Sequence, residues 1–119
     1  LPSSTDEEKA EKEKIMASAL KEACQVPLAI MEKGAEILDI VEILSVKGSV
    51  MAVSDAGVAA QFTRTAVLGA SMNVYINTKT MKDRTLAEEY NEKADRLNAY
   101  TSEKADEIFK KIEEALKCR

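Results

Sequence analysis

The 119-residue chain contains no histidine and no tryptophan. Without histidine, no Ser-His-Asp or Cys-His relay and no imidazole metal site can be built within it. Chemistry would have to come from carboxylates, lysines, amides or backbone groups. Glycine (four), proline (two) and aromatics (three Tyr, two Phe) are also scarce. Together with 45% hydrophobic and 32% charged residues, this scarcity argues against disordered, collagen-like and many-turned all-β chains. Cys24 and Cys118, the only cysteines, are too few and too far apart for a disulfide framework or a zinc knuckle, and they suit a reducing compartment. No segment approaches the roughly 20 apolar residues of a membrane span; the longest uncharged run, residues 65–78, is interrupted by Ser71, Asn73 and Asn77. The formal charge of −4 is not segregated either. Residues 79–119 hold ten basic and ten acidic side chains, which leaves no basic face for nucleic acid.

What is present is helical periodicity. Thr5 with Glu8 forms a capping box, and nothing from Asp6 to Gln25 interrupts a helix. Its apolar positions Ile15, Ala19, Leu20 and Ala23 follow a run, Glu7 to Lys14, that is almost wholly charged, so only the second half should pack deeply. Pro27 suits the first position of a new helix and restricts Val26, which predicts a kink or tight turn there. A second, largely buried helix is expected from Pro27 to about Val46, carrying Leu28, Met31, Ala35, Leu38, Val41 and Ile43. Its acidic residues Glu32, Glu36 and Asp39 read as a solvated stripe rather than a metal site. Lys47-Gly48-Ser49 ends it, with a glycine able to take positive φ.

The third segment stands apart. Between Gly48 and Thr78 only Asp55 and Arg64 are charged, so a helix from about Ala56 to Asn77 reads as apolar nearly all round and as the centre of the fold. Ser54 or Asp55 is its expected N-cap. At about 100° per residue, one face carries Asp55, Ala59, Phe62, Ala66, Gly69, Asn73 and Asn77. Small residues there allow a helix or a flat ligand to approach closely, and polar groups closing an apolar stripe are costly unless paired. Asp55 is thus either a helix cap or a carboxylate at a pocket rim; Asn73 and Asn77 either tie helices together or contact a ligand. Arg64 points about 180° away from Asp55 and is expected in a buried ion pair with a neighbouring helix. The methionines, Met16 to Met81, read as core fillers. Asp83 or Thr85 can start a last helix of about 35 residues, roughly 50 Å long. Its seam of Leu86, Tyr90, Leu97, Tyr100, Ile108, Ile112 and Ala115 suits padding a bundle or pairing with a second subunit. The predicted fold is all-α, an antiparallel helical bundle with a central apolar helix and a long C-terminal helix.

Four groups of residues then carry a resemblance: Leu1-Pro2 before Thr5 and Glu7-Glu8-Lys9; Ala23 with Val26-Pro27-Leu28; Ser54-Asp55 with Val58-Ala59-Ala60; and Asn73-Val74 with Ile76-Asn77. In this order and spacing the chain resembles the cyclodeaminase/cyclohydrolase family, the C-terminal domain type of formiminotransferase-cyclodeaminase and the free-standing methenyltetrahydrofolate cyclohydrolases. The resemblance implies an all-helical, cytosolic, homodimeric folate enzyme acting on the one-carbon unit between N5 and N10 of tetrahydrofolate, with a tetrahydrofolate derivative as substrate and neither cofactor nor metal. It implies a catalytic role for Asp55 and substrate contacts for Asn73 and Asn77. The family's domain opens with further helices and a Gly-rich segment that have no counterpart here. Residues 1–119 therefore read as the C-terminal portion of one such domain, and the opening Leu1-Pro2, without an initiator Met, suggests a piece of a longer polypeptide. The competing expectation, drawn from the long last seam and the missing Gly-rich segment, is a non-catalytic helical scaffold.

Overall fold

The computed structural model describes residues 5–118, so Leu1-Pro2 of the resemblance lies outside them. Three helices account for almost all of the described chain: α1 (Asp6–Lys47), α2 (Val50–Thr78) and α3 (Arg84–Lys117), with no strand among the described residues. They run up, down and up as an antiparallel bundle 74 Å long and about 20 Å across. The all-α expectation holds, with three helices where the sequence predicts four.

The difference lies at Pro27, which sits inside α1 without breaking it. Proline inside a helix removes one backbone hydrogen bond and costs about 3 kcal/mol. Continuity of burial opposes this cost. Cys24, Pro27, Leu28, Met31, Ala35, Leu38 and Val41 form one buried stripe that runs straight through the proline, and a turn at Val26 would divide it. The carbonyl deprived of its donor belongs to Ala23, an exposed residue. As the charged opening implies, residues 5–14 are exposed; but Ile15, Ala19 and Ala23, expected to pack, are exposed too, because no other helix among the described residues covers them, and full burial begins only at Cys24.

The second difference is where α2 starts. Ser49 is its N-cap, its hydroxyl accepting from Ala52 N–H at 3.3 Å, so the helix begins at Val50 and Asp55 lies within it. Gly48 adopts φ −82° and ψ 168°, an extended conformation rather than the left-handed one, because the two-residue link needs only an extended step before a serine cap. At the other caps the sequence reading holds: Thr5 Oγ1 accepts from Glu8 N–H at 3.1 Å and Asp83 from Leu86 N–H at 3.1 Å. Arg84 braces the turn after α2 by donating to the carbonyls of Thr78 (2.7 Å), the last residue of the helix, and Met81 (2.9 Å).

Three packed clusters form the core. Leu38, Val41, Ala56, Ala60, Ala105, Ile108 and Ile112 fill one end, and Leu28, Met31, Val67, Ala70, Val74 and Ala94 the middle. Cys24, Met81 and Ala87 close the other end. Small α2 residues let the helices approach. At Gly34 an added methyl group would meet Val67 Cγ2 at 2.3 Å, so α1 and α2 approach closely there. The acidic stripe of α1 is engaged by lysines: Lys93 pairs with Glu32, Lys33 with Glu36 at 3.3 Å, and Lys104 with Glu42 at 2.9 Å and Asp39 at 3.9 Å. Tyr100 also donates its hydroxyl to Asp39.

Candidate functional site

The two helices expected to be buried are each buried on one side only. On α1, Ile30, Ile37, Ile40 and Ile43 are about half exposed or more, and on α2 the same is true of Val58, Phe62, Met72 and Ile76. Three helices suffice to cover the stripes that face one another, and they leave the outer faces of α1 and α2 without a neighbour. Between these faces lies an open groove of about 580 Å³. Val26, Ile30 and Ile37 form its α1 wall, Phe62 and Ala66 its α2 wall, and Gly34 its floor. Of the stripe singled out in the sequence, Phe62 and Ala66 line this groove; Phe62 is 73% exposed, and Gly69 and Asn73, further along the same face of α2, are exposed outside it.

The three candidate site residues occupy this stripe but do not converge. Asp55 is exposed in the second turn of α2 and caps nothing, which corrects the reading of it as an N-cap. Asn73 is exposed and half-buried Asn77 sits one turn on, its Nδ2 donating to Asn73 O at 2.7 Å. Among the described residues neither asparagine side chain has a hydrogen bond to another helix, so of the two readings the interhelical tie is not made through them. Eighteen residues at 1.5 Å each put Asp55 about 27 Å from Asn73 along the helix axis. A single chain therefore cannot bring both to one reacting carbon.

The interhelical ties lie on the opposite side of α2. Arg64 Nη1 reaches Asp106 Oδ1 at 3.4 Å, confirming a pair with a neighbouring helix, but a half-exposed one, with side chains 36% and 50% accessible. Tyr75 donates its hydroxyl to Asp95 at 2.5 Å, and burial together with this carboxylate pushes its pKa up to about 12. Thr78 donates to Asn91 at 2.6 Å. Sequence reasoning passed over Tyr75, Asp95 and Asn91, whose match depends on the register of α2 against α3. It also missed the α1 wall, although Val26, Ile30, Ile37 and Leu44 recur at helical spacing.

A second cavity, of about 680 Å³, lies where the free N-terminal part of α1 passes the α2–α3 turn. Met16, Leu20, Met81 and Leu86 line it, and Lys82 at its edge is tied to Glu13 at 2.7 Å. It contains none of the stripe residues. Among the described residues, no three His, Cys, Asp or Glu side chains are grouped to hold a metal ion, and no helix is long and apolar enough to cross a membrane.

Comparison with known proteins supplies the context for this stripe. A methenyltetrahydrofolate cyclohydrolase of Methylorubrum extorquens is 44% identical over 89 residues, which are 75% of this chain and 43% of that protein. The formimidoyltransferase-cyclodeaminase of Sus scrofa is 36% identical over 83 residues (70% of this chain, 15% of that one), and that of Gallus gallus 33% over 97 residues (82% and 18%). The chain thus spans less than half the length of the cyclohydrolase and under a fifth of these vertebrate proteins. The sequence profile described as formiminotransferase-cyclodeaminase matches residues 1–96, most of the chain, and on that match the chain belongs to the formiminotransferase-cyclodeaminase family.

Proposed function

We propose that these 119 residues form part of the catalytic domain of a folate one-carbon enzyme, converting the unit held between N5 and N10 of tetrahydrofolate. The observation that carries this reading is the family match together with a charge-poor, solvent-facing stripe whose one carboxylate is Asp55. Both reactions named among the relatives, cyclodeamination and cyclohydrolysis, pass through a tetrahedral carbon between nitrogens that bear positive charge. In one, N10 attacks a formimino carbon and ammonia leaves; in the other, water attacks the methenyl carbon and the ring opens. Asp55 has no salt-bridge partner among the described residues, so its carboxylate is free to stabilise that cation or to move a proton. Asn73 and Asn77 supply amides suited to the hydrogen-bonding edge of a pterin. Of the two reactions, the higher identity to the Methylorubrum protein favours hydrolysis. The working form is a cytosolic homodimer, and the 119 residues alone do not turn over, because the Gly-rich segment that shapes the family's site has no counterpart in them.

A second reading, a non-catalytic helical scaffold, is favoured by the roughly 27 Å that separates Asp55 from Asn73. One experiment separates the two. A fusion that supplies the Gly-rich segment from the Methylorubrum relative is assayed for hydrolysis of methenyltetrahydrofolate and for cyclodeamination, with and without Asp55→Asn. Asn removes the charge and keeps the shape, so turnover should fall on the order of a hundredfold. Rates within about twofold of the parent would remove Asp55 from the chemistry.

A further inference from the structure

The cavity of about 680 Å³ beside the α2–α3 turn belongs neither to the α2 stripe nor to the α1–α2 groove. It exists because α1 runs on past that turn. Residues of α1 between Lys9 and Lys21 form one wall and residues between Thr80 and Leu86 the other. The apolar part of the lining is aliphatic: Leu20 and Leu86 are half-buried against the cluster of Cys24, Met81 and Ala87, and Met16 beside them is 55% exposed. No aromatic side chain lines the cavity. Unbranched, rotatable methionine adapts to an irregular apolar partner such as an alkyl chain, and the volume falls within the roughly 300–1,000 Å³ of small-molecule sites.

The rim is basic, although the chain as a whole is acidic. Lys9, Lys12, Lys21 and Lys82 line the cavity against two carboxylates, Glu13 and Asp83, whereas Glu7, Glu8, Glu11 and Glu22 of the same stretch of α1 do not line it. Both lining carboxylates are engaged. Glu13 accepts from Lys82 at 2.7 Å, and Asp83 accepts from Leu86 N–H at 3.1 Å as the cap of α3. Lys9, Lys12 and Lys21 have no salt-bridge partner among the described residues. Lys9 and Lys12 stand three residues apart on one helix face, so their ammonium groups can share one anion. Leu20 lies eight residues, about 12 Å, beyond Lys12 along α1, which is the reach of a medium-chain acid.

We infer that this cavity binds a medium-chain aliphatic carboxylate, its head group held between Lys9 and Lys12 and its chain laid along Met16, Leu20, Met81 and Leu86. The charge of the rim selects an anion, and the aliphatic lining selects its body. The inference stands apart from the folate reading, since none of Asp55, Asn73 and Asn77 lines the cavity.

The test is calorimetric titration of the full chain with octanoate, which should bind with a Kd of about 1 mM or lower. Octanamide, with the same chain and no charge, should bind at least tenfold more weakly. Lys9→Glu with Lys12→Glu should weaken octanoate at least tenfold, and so should Met16→Asp; all three side chains are exposed, so the helical circular dichroism should not change. Lys110→Glu with Lys111→Glu, exposed near the far end of α3, makes the same change in net charge and should leave the affinity within about twofold. Failure of octanoate to bind, equal binding of octanamide, or an equal loss in the Lys110 and Lys111 variant would each overturn the inference. Tighter binding of p-aminobenzoylglutamate, the anionic tail of tetrahydrofolate, would overturn it in favour of a substrate subsite. A 1:1 complex with the unmatched part of the Methylorubrum relative that abolishes octanoate binding would overturn it in favour of a seat for protein.

Discussion

Gly34→Ala sets two effects of opposite sign against each other. In a solvent-facing helix the change should stabilise by up to about 1 kcal/mol, since glycine is the poorer helix former. Here the new methyl would sit 2.3 Å from Val67 Cγ2, against the roughly 3.5–4.0 Å at which carbon atoms pack. More than 1 Å must be recovered. Val67 is fully buried and β-branched, and one χ1 rotamer dominates for valine in a helix, so it has little freedom to turn away. The remaining response is to lift α1 off α2, which loosens Leu28 and Met31 in the same cluster. Overpacking of this kind costs about 1–3 kcal/mol; with a propensity gain of about 1 kcal/mol set against it, the net loss should be up to about 2 kcal/mol. Urea unfolding followed by circular dichroism, at fixed protein concentration, would show a lower midpoint with the slope unchanged. Val67→Ala should cost roughly 2 kcal/mol alone, yet added to Gly34→Ala it should cost much less, giving a coupling energy of about 1 kcal/mol or more. If Gly34→Ala raises the midpoint, the close approach of α1 and α2 is wrong.

Three further outcomes follow from other parts of the bundle. Thr101 is fully buried and its hydroxyl has no hydrogen-bond partner among the described residues, so Thr101→Val should stabilise by about 1 kcal/mol in urea titrations; a loss of similar size would mean the hydroxyl is satisfied. Because the cap of α2 is Ser49, Ser49→Ala should cost about 1 kcal/mol, whereas Asp55→Ala should change stability by less than about 0.5 kcal/mol. Tyr75 is held protonated by burial and by its bond to Asp95, which raise its pKa to about 12 in the fold from an ordinary 10.0. Its contribution should be complete below pH 10 and fade as pH rises toward 12, and absorbance titration of tyrosinate should show the highest-titrating group vanish in Tyr75→Phe.

Much of the fold was legible because local signals agreed with one another. The caps at Thr5 and Asp83, the charged opening of α1 and the length of α3 follow from short-range rules, and tertiary packing had no cause to override them. Pro27 and Asp55 show where such rules fail. Pro27 carries a local penalty of about 3 kcal/mol, but the burial stripe from Cys24 to Val41 is a property of the whole helix and outweighs it. Ser54 or Asp55 suited a cap for a helix beginning near Ala56, yet Ser49, next to a glycine, was equally able to begin the helix and did so at Val50.

The site was legible as a face and not as a place. Periodicity aligned Asp55, Asn73 and Asn77 correctly, because helix angle is set by residue number alone. It also read apolar surface as surface buried within the chain, an inference valid only when enough neighbours exist. With three helices, α2 can be covered on two sides, and its third carries Phe62, Ala66 and Gly69 into the open. This third side is nearly free of charge, since only Asp55 and Arg64 are charged in α2 and Arg64 turns to Asp106 on α3. An outer face meant for water would not need that economy. The missing charges and Gly69, where an added methyl would meet nothing within 4 Å among the described residues, mark the outer face of α2 as the part of the fold that packing within the chain does not explain.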